Sequence, residues 1–147
     1  MRYTLVILIP LLLAGCVKQS ASYYVSEERD HAITVRAEQE YFWDDSITLT
    51  LVSSHFPECQ RAMPMSKAPK ADLAVELFSK GEGVFTLRSG TEVVQIDSLS
   101  CTQLPAPAPN ALGDGVGVFS LGSGDKMEFN LAAPTAPATP VPAPLAQ

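Results

Sequence analysis

The chain is poor in the residues from which most reactive sites are built. Its 147 residues include two histidines, one tryptophan and three cysteines. Neither His31 nor His55 has a neighbouring acid at a spacing that suggests a proton relay. Ser123, within Leu121-Gly122-Ser123-Gly124, lacks the Gly-x-Ser-x-Gly elbow of hydrolases. The glycine run Gly113-Asp114-Gly115-Val116-Gly117 misses the phosphate fingerprint of dinucleotide folds, and no βαβ pattern surrounds it. It reads as a flexible turn before a strand. Basic residues are also scarce. Ten Lys and Arg against sixteen Asp and Glu give a net charge of −6, with no basic stripe of the kind that binds nucleic acid or anionic lipid. No apolar run approaches the ~20 residues needed to span a bilayer as a helix. These absences lead to the expectation of a protein that is not an enzyme and carries no cofactor.

The N-terminus does carry a pattern. Arg2 precedes the apolar run Leu5-Val6-Ile7-Leu8-Ile9-Pro10-Leu11-Leu12-Leu13, and Leu13-Ala14-Gly15-Cys16 closes it. A short apolar segment with a basic start and a small-residue end reads as a cleaved signal peptide over residues 1–15. Leu13-Ala14-Gly15-Cys16 resembles the lipobox of bacterial lipoproteins, in which small residues precede an invariant cysteine. That resemblance implies lipidation of Cys16 and a mature chain beginning there, with attachment to a membrane through two or more acyl chains, enough for stable anchoring. The loss of Arg2 makes the mature charge −6 − 1 = −7. Val17 stands where an aspartate would resemble an inner-membrane retention signal, so the expected location is the outer membrane, facing the periplasm. Residues 72–101, ending in Asp97-Ser98-Leu99-Ser100-Cys101, are similar to short uncharacterised envelope lipoproteins of Gram-negative bacteria. This likeness implies a class and no activity.

With Cys16 assigned to lipid, Cys59 and Cys101 remain as an even pair in an oxidising compartment, and a disulfide between them is expected. Residues 16–30 are polar and read as a tether, although Tyr23-Tyr24-Val25 could add an edge strand. Residues 31–131 read as one β-domain. Residues 132–147 hold prolines at 134, 137, 140, 142 and 144 and no charge, and are expected to be a disordered Pro/Ala-rich tail.

The central zone is written in period two. Ile33 and Val35, Ile47, Leu49 and Leu51, and Leu73, Val75 and Leu77 alternate with polar or small residues. Val84–Leu87, Val93–Ile96 and Met127, Phe129 and Leu131 complete the series. Lys80-Gly81-Glu82-Gly83 and Ser89-Gly90 are turn signals that make residues 73–99 a three-stranded meander. The expectation is an all-β fold, a small antiparallel β-sandwich or compact barrel.

Three functional readings follow. The leading one is a lipid-anchored cell-envelope domain that binds or scaffolds an envelope protein or glycan. Its candidate contact is Tyr41-Phe42-Trp43, because consecutive strand residues face opposite ways and at least one of three is then exposed. A second is periplasmic copper handling. His55, Met63 and Met65 fall within eleven residues, and thioethers select copper(I); the competing reading makes the segment a proline-rich loop whose methionines fill gaps at the core edge. A third is an envelope hydrolase using the acids Glu38, Glu40, Asp44 and Asp45.

Overall fold

The computed structural model describes residues 18–132. The signal segment, Cys16, and residues 133–147 of the expected tail lie outside the described residues. What is described is an all-β sandwich of two antiparallel sheets.

The first sheet is built from β1 (Lys18–Tyr24), β2 (His31–Glu38), β3 (Ser46–His55) and β4 (Cys59–Pro64), in that spatial order. The short β5 (Ala68–Pro69) pairs with the start of β3. The second contains β6 (Ala74–Gly81), β7 (Val84–Ser89), β8 (Glu92–Asp97), β9 (Thr102–Leu104), β10 (Asp114–Leu121) and β11 (Met127–Leu131), ordered β11-β10-β6-β7-β8-β9. The expected meander is therefore present as β6-β7-β8. Its second turn closes between Ser89 and Glu92, where Gly90 adopts φ +59°, a backbone that side-chain-bearing residues rarely accept.

The alternating apolar residues face inward from both sheets. Ile33, Val35, Ile47, Leu49 and Leu51 from the first meet Val75, Leu77, Leu87, Ile96 and Phe119 from the second, all fully buried. The two lateral sides of the sandwich close differently. Beside β4 and β9, the Cys59–Cys101 disulfide joins the sheets, with the Cα atoms 6.0 Å apart. Beside β1 and β11, aromatic packing does so. The Tyr23 ring lies 5.2 Å from Phe129 and 6.0 Å from Phe85, and Phe129 lies 4.6 Å from Phe119.

The structure corrects three expectations. The first sheet already includes Lys18–Tyr24, ahead of His31. Residues 18–24 pair along β2 from Lys18↔Glu38 to Tyr24↔Ala32, and Ala21, Tyr23 and Val25 pack on the core. Within the expected tether, Lys18–Tyr24 is thus an edge strand. The glycine run at 113–117 is not a turn leading into a strand, because β10 starts at Asp114 with a bulge between Gly115 and Gly117. A Cβ at Gly117 would lie 2.4 Å from the Asn130 carbonyl oxygen and 2.5 Å from the Phe129 ring, so glycine there admits the ring that closes the sandwich. Finally, Cys59–Pro64 is a strand on β3, not a proline-rich loop.

Candidate functional site

The connection from β2 to β3 carries the most conspicuous surface feature. Tyr41, Phe42 and Trp43 are 51%, 74% and 68% exposed. All three rings are outside because the chain turns here, so the alternation of a strand does not apply. They pack on one another, Tyr41 stacked on Trp43 at 5.0 Å and Phe42 edge-on to Trp43 at 4.7 Å.

The loop beneath them is held by a dense set of hydrogen bonds. The Asp44 amide donates to the Tyr41 carbonyl, and the Gln39 side-chain amide donates to the Asp44 carbonyl at 2.7 Å. The Asp44 carboxylate accepts from the Ser46 hydroxyl at 2.7 Å and from its amide at 2.9 Å. These bonds favour the charged form and hold the Asp44 carboxyl below its ordinary range. The Lys70 amide donates to the Asp45 carbonyl. Three aromatic rings are therefore displayed on a braced turn.

The same acids were the candidates for hydrolysis. Glu38 faces Lys18 at 3.8 Å and Glu40 faces Lys67 at 3.1 Å. A general acid needs a carboxyl whose proton is retained near neutrality, and Asp44 is shifted the opposite way.

The candidate copper set is not brought together. Met63 sits opposite Leu51 and His55 opposite Cys59, which separates them by four residues of strand rise, roughly 13 Å. Met63 and Met65 are buried in the core cluster, while His55 sits at the far end of β3. Residues close in sequence are carried apart because the segment is extended; no ion can bind all three.

His55 instead belongs to a feature the sequence reading missed. Its ring lies 4.4 Å from the ring of His31, its cross-strand partner. Antiparallel partners have a constant sum of residue numbers, so a turn centred on Trp43 would have paired them. Ser98 donates its hydroxyl proton to the Gly83 carbonyl, so His31 Nε2–H donates to Ser98 Oγ at 2.9 Å. His55 Nδ1–H donates to the Leu99 carbonyl at 3.1 Å. Both histidines therefore tie the first sheet to the turn after β8. Burial pushes the His31 pKa down, His55 pushes it further, and a hydrogen bond to the Ser98 backbone opposes them.

A pH dependence follows. The unfolded chain binds a proton at His31 near the ordinary value of about 6.5, and the folded chain only at lower pH. Its contribution is intact above that value and declines as the pH falls below it. Thermal unfolding should show a lower midpoint at pH 5.5 than at pH 7.5, and His31→Gln should flatten that slope. An unchanged slope in the variant would assign the dependence to other groups.

The elements define two poles. At one stand Lys18, the aromatic loop, Ser66, whose amide donates to Glu92, and Lys70, paired with Asp125 at 2.7 Å. At the other stand the histidine pair, the disulfide and the turn carrying Leu99. β11 runs toward this second pole and ends at Leu131, which is 73% exposed. Searches of family models, curated proteins and solved structures returned no match to this chain.

Proposed function

We propose that the chain is a lipid-anchored scaffold of the bacterial cell envelope, without enzymatic activity, that presents its C-terminal side to a partner at a distance from the membrane. The observation that carries this reading is the opposition of the two ends: Lys18, two residues after Cys16, lies at one pole, and β11 leaves toward the other. Support for the oxidising compartment comes from the disulfide. On this reading Cys16 holds the domain to the outer membrane on its periplasmic side. The pole away from the bilayer carries the exposed apolar residues Tyr24, Phe56 and Leu99, and Leu131 points the chain toward residues 132–147.

Labelling cells with an alkyne fatty acid should tag the wild type and not Cys16→Ala. Photocrosslinkers placed at Leu99 and at Tyr24 should then capture an envelope protein that is lost when residues 133–147 are deleted or when Leu131 is changed to Ser. Label on Cys16→Ala would overturn the anchor, and an absence of specific crosslinks from the far pole would overturn the scaffold.

A further inference from the structure

Resting on the anchor reading above, we infer that Tyr41, Phe42 and Trp43 are a second membrane contact, seated in the headgroup region of the same bilayer that holds the lipid on Cys16. The inference starts from chain connectivity. Only Val17 separates Cys16 from Lys18, and two residue steps reach at most about 7 Å. Lys18 pairs with Glu38, the residue from which the aromatic loop departs. Lys18, Glu38, Gln39, Glu40 and Tyr41 line one shared recess. An acylated Cys16 therefore brings the bilayer surface to the loop, whatever else the domain binds.

The chemistry of the loop suits that position. Tyrosine and tryptophan concentrate at membrane–water boundaries because each has an apolar body and a polar tip. The three rings are contiguous, stacked and braced from below, so little conformational freedom is lost when they enter the interface. The other large exposed apolar side chains among the described residues, Tyr24, Phe56, Leu99 and Leu131, come from four separate segments away from the anchor. Charge sets the depth. Glu40, Asp44 and Asp45 flank the rings, and burying them in hydrocarbon is unfavourable, so insertion stops at the headgroups. Lys18, Lys67 and Lys70 are engaged with Glu38, Glu40 and Asp125, so these three lysines do not demand anionic lipid.

Trp43 is the chain's single tryptophan, so its fluorescence reports this loop alone. The test uses the full mature lipidated protein floated with phosphatidylcholine vesicles. Vesicle binding should shift Trp43 emission to the blue and cut its iodide quenching severalfold. Lipids brominated near the headgroup should quench it more than lipids brominated near the chain end. Phe42→Ser, which leaves the reporter and the strands in place, should weaken the shift. A floated, fatty-acid-labelled protein whose Trp43 stays unshifted and open to iodide overturns the inference and leaves the anchor standing. Failure to label or float overturns the anchor and the inference with it. A blue shift produced by glycan fragments or envelope proteins and not by vesicles assigns the loop to that partner and overturns the membrane contact.

Discussion

Replacing Cys59 and Cys101 together by alanine is expected to cost about 2–5 kcal/mol of folding stability. The bridge spans a sequence separation of 42, and closing a loop of that size removes enough freedom from the unfolded chain to contribute on the order of 4 kcal/mol. Its position adds to the expectation. β4 and β9 are both edge strands, so on their side of the sandwich the disulfide is the covalent link between sheets. Denaturant unfolding of wild type, of the double variant and of reduced wild type should give one large loss shared by the last two. A midpoint unmoved by reduction would mean that the apolar faces hold that side unaided.

Phe119→Ala should be equally severe, at about 3–5 kcal/mol. Phe119 lies in the middle of β10, is wholly buried and is the largest of the fully buried side chains. Its ring packs on Phe129, which packs on Tyr23 from the other sheet, so truncation undercuts the aromatic closure as well as opening a cavity. The exposed Phe42 supplies the contrast. Phe42→Ala should fall within about 0.5 kcal/mol of wild type, as surface changes usually do. Equal losses at the two positions would mean that Phe119 does not fill the core.

The strands that were legible in the sequence are those where one face is fully buried. Leu49 and Leu51 on β3, and Val75 and Leu77 on β6, are flanked by polar or less buried neighbours, and this imposes a clean period of two. β1 was obscure because an edge strand needs little burial. Its inward positions are Ala21 and Tyr23, only partly covered, and on its outer surface Ser22 hydrogen-bonds to Thr34 through hydroxyls. β10 was hidden by Gly115 and Gly117; the reason for Gly117 is the Phe129 ring, which arrives from β11 twelve residues along the chain. The aromatic triplet was visible as a candidate, but its full exposure depended on a turn that composition did not fix. The copper set failed for a related reason: nearness in sequence was mistaken for nearness in space.

The placement of the two terminal strands also has a mechanical consequence. Lys18 begins β1 at one pole and β11 heads for the other, so tension between the two ends of the domain runs along the strands. Inter-strand hydrogen bonds in an antiparallel pair lie perpendicular to the strands. Such a pull loads the whole β1–β2 ladder, from Lys18↔Glu38 to Tyr24↔Ala32, in shear at once, and does not peel its bonds apart one by one. A domain stretched between a bilayer and a distant attachment would resist force in its strongest direction, with Tyr23 wedged among Phe85 and Phe129 as the catch that must slip first.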